Sequence, residues 1–127
     1  DDRLSRGLGD VYKRQITECV NFAEAQTKKL GLRAPMVGHL GDGNFHVILP
    51  YDPKEEGTYN KIRDFSDLLI EKTLELNGTI TGEHGVGLHK KAYLLKEHGD
   101  CIPLMKSIKR SIDQNNIMNP GKIFDLN

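Results

Sequence analysis

The chain has 127 residues, about one domain by the usual size prior, and its 18 basic and 18 acidic residues balance. That neutrality leaves no electrostatic footprint for nucleic acid or an anionic membrane surface, so partners are to be sought elsewhere. Two cysteines, Cys19 and Cys101, form neither a CxxC nor a disulfide framework, and the apolar runs are too short to span a bilayer, so a cytoplasmic setting is expected.

The first fifteen residues show neither helical nor strand periodicity and break abruptly into an amphipathic segment; residues 1–15 are therefore read as a non-native leader. From 16 to 30, Ile16, Val20, Ala23 and Leu30 lie near one helical stripe, with Gly31 as the stop. Residues 36–49 predict two short strands around Gly41, Asp42, Gly43 and Asn44, because Asp-Gly is the favoured dipeptide of a type I′ hairpin, with 51–53 closing the second strand. Ile62, Phe65, Leu69, Thr73 and Leu76 recur at helical spacing and predict a helix over 58–76, ended by Asn77 and Gly78. A short strand at 79–81 leads into a glycine-rich turn at 82–87, then helices over 88–97 and 102–115, before Asn119, Pro120 and Gly121 turn the chain out. This order of elements predicts an α+β fold, an antiparallel sheet with helices packed on one face.

A two-residue turn at Asp42 and Gly43 would make His39 and His46 direct cross-strand neighbours, with Cβ atoms about 4.5 to 5.5 Å apart. Two imidazoles at that separation can converge on one metal ion. Alternation would place Met36, Leu40, Phe45, Val47 and Leu49 on the opposite, apolar face, with Val37 and Ile48 flanking the histidines. Glu83 and His84 sit in the glycine-rich turn, and a carboxylate beside two imidazoles completes a 2-His-1-carboxylate set with positions open to substrate. As neighbours in sequence, Glu83 and His84 can serve one cavity only by diverging, one toward metal and one toward substrate. The turn does not match GxGxxG, so no dinucleotide-binding loop is read there. His89 and His98 read as surface histidines, and Lys90, Lys91 and Lys122 as solvated charge.

The run Gly38, His39, Leu40, Gly41, Asp42, Gly43, Asn44, Phe45, His46, then Thr81 to Gly87, then Asn119, Pro120, Gly121, Lys122, Ile123, Phe124 resembles the C-terminal domain of the flavin-linked oxidase family. That family includes D-lactate dehydrogenase, glycolate oxidase and D-2-hydroxyglutarate dehydrogenase, and the resemblance covers residues 37 to 124. It implies a ferredoxin-like cap-domain fragment in which His39, His46 and Glu83 bind a divalent metal such as zinc, manganese or iron. It further implies that His84 is the catalytic base and Asn119 a flavin contact. FAD would sit mainly in a separate N-terminal domain, so the fragment alone is expected to be inactive, with an electron acceptor the sequence does not identify. The full-length enzyme would be cytoplasmic or peripheral to the inner membrane.

D-2-hydroxyglutarate enzymes of this family tend to carry an asparagine two residues after the second histidine; this chain has Ile48 there, which favours a smaller acid such as D-lactate or glycolate. Two other readings fit the same ligands: a non-flavin iron(II) enzyme, and a non-catalytic metal-binding or subunit-interaction module.

Overall fold

The computed structural model describes residues 2–52 and 54–126, with side chains from residue 14 onward. Pro53, expected to help close the second strand, lies outside the described residues, as do the side chains of most of the expected leader. The elements are α1 (Asp2–Leu30), β1 (Met36–Val37), β2 (His46–Val47), α2 (Thr58–Glu75), α3 (Lys91–His98) and α4 (Ile102–Ile112), with 3-10 turns at Leu40–Asp42 and Gly99–Cys101. The architecture is α+β, rich in helix, with a small two-stranded antiparallel sheet. It divides into two compact units, Asp1–Gly78 and Thr79–Asn127. Among the described residues no helix is long and apolar enough to cross a membrane.

In the first unit α1 packs on α2. Among the described side chains of α1, Cys19, Ala23 and Thr27 are buried, spaced by four so that they fall on one stripe. All three are small, which lets the facing helix come close. Ile16, Val20 and Leu30, expected to share the core stripe with Ala23, are only half-buried beside it. Phe65 of α2 supplies the bulk, at 1% exposure, and the Cys19 thiol and the Thr73 hydroxyl lie 3.5 Å apart in hydrogen-bonding contact across the pair. At the rim the Lys72 ammonium meets Glu18 Oε1 at 2.7 Å, and that hydrogen bond leads the effects that raise the lysine pKa above its ordinary value.

α1 begins at Asp2, not at residue 16. Three arginines and two leucines favour helix in the leading segment while three aspartates and two glycines oppose it, and a helix nucleated on the core-facing turns propagates back through it. Gly31 stops the helix as expected, in a left-handed conformation at φ 68°.

The second unit is organised differently from the expectation. No strand forms over 79–81; the backbone of buried Ile80 is satisfied by side chains instead. Its N–H donates to Glu97 Oε2 at 3.1 Å, and its carbonyl accepts from Lys90 Nζ at 2.7 Å. Two backbone groups that a ladder would have paired are thus held from α3 and its entry, and no sheet is needed to bury Ile80. α3 starts at Lys91, three residues later than expected, and α4 ends at Ile112, before the expected 115. The stop is Asp113, 6% exposed, whose carboxylate accepts the N–H groups of Ile117 at 3.0 Å and Met118 at 2.9 Å and pairs with Lys109. The lysine hydrogen bond, supported by those two amides, holds this carboxyl below its ordinary pKa.

Candidate metal and proton-transfer site

The hairpin forms with a register different from the expected one. Met36 pairs with Val47 and Val37 with His46, so His39 is not the cross-strand neighbour of His46. The strands shorten to two residues each, and the link becomes a 3-10 turn, Leu40–Asp42, closed by Gly43 at φ 74°. The physical reason is the carbonyl of His39, which accepts from the N–H of both Asp42 (2.9 Å) and Asn44 (3.2 Å) and so curls the segment that a type I′ turn would have kept in the ladder. The shift is by two residues, and because side chains alternate with period two it leaves the facing intact where a slip of one would have reversed it. Met36 and Val47 still share one face, and Val37, His46 and Ile48 the other. Leu40 is the exception: the turn carries it out of the expected apolar face to 57% exposure.

The histidines nevertheless meet. One ring nitrogen of His39 and one of His46 lie within 4.8 Å of each other. His39 is exposed and caps the 3-10 turn with no side-chain hydrogen bond, so its imidazole is not committed to holding the turn.

Gly38 makes this arrangement possible. A Cβ there would stand 2.4 Å from Phe45 Cα and 2.5 Å from the Asn44 carbonyl oxygen, both backbone atoms that cannot swing aside. Gly38→Ala is therefore expected to cost stability at the upper end of the ~1–3 kcal/mol typical of overpacking, because relief requires the hairpin to open. A lowered urea midpoint and loss of the close His39 and His46 contact in nuclear Overhauser spectra would report it.

In the second unit Glu83 and His84 lie on the loop between Ile80 and α3, and their side chains do not diverge as expected: His84 Nε2 is 3.7 Å from Glu83 Oε1. His84 is 72% exposed and Glu83 49%. The His84 N–H donates to the Thr81 carbonyl at 3.2 Å, which closes the turn that presents both side chains. Gly82, Gly85 and Gly87 all take positive φ, and with no Cβ they adopt it without strain.

Asn119 is exposed, at φ 48°, with its carbonyl accepting from Lys122 N at 3.3 Å. His89 is exposed, and His98 pairs with Glu97 at 3.2 Å. Lys90 and Lys91, expected as solvated charge, are both engaged: Lys90 with Ile80, as above, and Lys91 with Asp125 at 2.8 Å. Neither partner was visible in the spacing, because each lies ten or more residues away and no periodicity links them.

The fold and these motifs define an α+β cap domain of the flavin-linked type. The chain belongs to the FAD linked oxidases, matching the model of their C-terminal domain over residues 11–123. Among curated relatives, it is 43% identical over 96 residues to a probable mitochondrial D-lactate dehydrogenase of Danio rerio, covering 75% of this chain and 19% of that protein. It is 47% identical over 90 residues to a mitochondrial D-lactate dehydrogenase [cytochrome] 1 of Saccharomyces cerevisiae, covering 70% of this chain and 15% of that protein. A glycolate oxidase subunit GlcD of Bacillus subtilis shares 44% identity over 117 residues, 90% of this chain and 24% of that protein. The chain thus spans about a quarter or less of the length of these relatives.

Proposed function

We propose that this chain is the substrate-side part of an FAD-dependent enzyme that oxidises a small D-2-hydroxyacid, of the D-lactate or glycolate type, to the 2-oxoacid. In this reading His39, His46 and Glu83 hold a divalent metal, His84 is the base, and Asn119 contacts the flavin. The observation that carries it is the histidine pair of the hairpin, brought within 4.8 Å by a turn that does not use the His39 side chain. Relatives named as D-lactate dehydrogenases and a glycolate oxidase subunit support the substrate class, and membership among FAD linked oxidases favours flavin over an iron(II) centre acting alone.

The donor set suits a borderline divalent ion: two imidazoles and a carboxylate, with further positions open. When bound, the metal supplies Lewis acidity to the substrate hydroxyl, and FAD supplies the acceptor for the hydride from C2. The chain's own part is proton transfer and shape. An imidazole nitrogen of His84 takes the hydroxyl proton, a task for which histidine is suited because it titrates near neutrality. Ile48, on the His46 face of β2 and 49% exposed, offers no polar partner to a second carboxylate.

The test is flavin reduction in the full-length protein. D-lactate or glycolate is expected to bleach the bound flavin, with D-2-hydroxyglutarate slower by roughly 10- to 100-fold, the worth of one missing hydrogen bond to a charged group. No bleaching by any of the three would sink the reading, and equal rates would remove Ile48 from it.

A further inference from the structure

The loop that presents Glu83 and His84 is held at both ends. On the entry side both backbone groups of Ile80 are taken by Glu97 and Lys90. On the exit side the carbonyl of Gly87 accepts the N–H of Ile123 at 2.8 Å, across 36 residues of sequence.

Ile123 is an improbable residue for that duty. Its φ is +70°, a left-handed conformation that crowds a β-branched side chain, and Phe124 N–H donates to the Lys122 carbonyl at 2.8 Å. Together these describe a γ-turn centred on Ile123 in its rare, positive-φ form. Strain of this kind persists only where the surroundings over-determine the conformation, and here they do. Asn119 and Gly121 are left-handed too, at φ 48° and 72°, so the segment is tightly coiled. Beyond it, Lys91 clamps Asp125 with both carboxylate oxygens, at 2.8 and 2.9 Å, and Arg110 donates to the Leu126 carbonyl.

We propose that Ile123 is a positioning residue: its strained γ-turn aims the backbone N–H at Gly87 and latches the tail to the loop, fixing where Glu83 and His84 stand. The clamps at Asp125 and Leu126 supply the restraint that keeps the turn wound. Its bearing on catalysis rests on the function proposed above, but the latch itself does not.

The experiment is amide exchange and imidazole NMR on the 127-residue chain, metal-free in chelator, so that failure of the metal reading cannot mimic failure of the latch. In the unaltered chain the Ile123 amide is expected to exchange at least ~10-fold more slowly than an unstructured one, as a held donor does. Ile123→Pro, which removes the N–H and cannot take positive φ, is expected to shift the His84 ring resonances. It should also speed exchange at residues 84–87 by ~10-fold or more while α4 amides stay protected. Ile123→Gly keeps the N–H and tolerates the turn, and is expected to leave His84 at its original resonances. An unprotected Ile123 amide in the unaltered chain overturns the proposal, and so does a proline variant whose His84 and loop amides are unmoved. Should the proline variant unfold, loss of α4 protection will reveal it, and the Ile123 amide of the unaltered chain together with the glycine variant decides.

Discussion

His39→Ala and Glu83→Ala are each expected to empty the metal site while leaving the fold in place. Removing a group that merely hydrogen-bonds a metal ligand typically costs about 10- to 100-fold in affinity, and removing a ligand costs more, so the ion should be lost on dialysis. The hairpin survives His39→Ala because its turn hangs on the His39 backbone carbonyl, which accepts from Asp42 and Asn44, and not on the imidazole. Glu83 is 49% exposed on a loop anchored elsewhere, so its truncation opens no cavity. Elemental analysis of the purified chain checks both variants, with His89→Ala, an exposed histidine outside the proposed set, as the control. About one ion in the unaltered chain and in the control, and none in the two variants, is the expected pattern. Retention of the ion in either variant would remove that residue from the ligand set.

The closeness of His39 and His46 was legible because both belong to one local hairpin. The histidine hairpin follows from Asp-Gly between alternating apolar residues, and even with the register wrong by two the period-two rule kept His46 and Ile48 on one face. The turn type was not legible, because the preference of Asp-Gly for type I′ competes here with a His39 carbonyl that recruits two donors. Gly38 could have warned of the tighter approach, since a glycine inside a strand pattern often marks close backbone contact. The expected strand at 79–81 failed for a different reason. Thr79, Ile80 and Thr81 have strand propensity, but Ile80 has its backbone taken by Lys90 and Glu97, and such pairings between distant side chain and backbone leave no periodic trace. The same holds for Ile123, whose apolar side chain gives no hint of a left-handed backbone. Helix α2, by contrast, is set by its own stripe and stop, and it runs Thr58–Glu75 within a residue of expectation.

His84→Ala is expected to separate proton transfer from metal binding. General-base assistance is typically worth about 10²- to 10⁴-fold, so flavin reduction by the hydroxyacid in the full-length protein should slow by that factor. The fold should not suffer. His84 is 72% exposed, and the loop is tied down through the backbone of Ile80 and Gly87. Metal content should also persist, since the ligands proposed are His39, His46 and Glu83. The contrast with Glu83→Ala is what gives the experiment its force, because the two side chains are adjacent and only 3.7 Å apart. Truncating Glu83 should cost both ion and rate, whereas truncating His84 should cost rate alone. A His84→Ala enzyme that keeps its ion and reduces flavin at the original rate would place the base elsewhere, and one that loses its ion would make His84 a ligand.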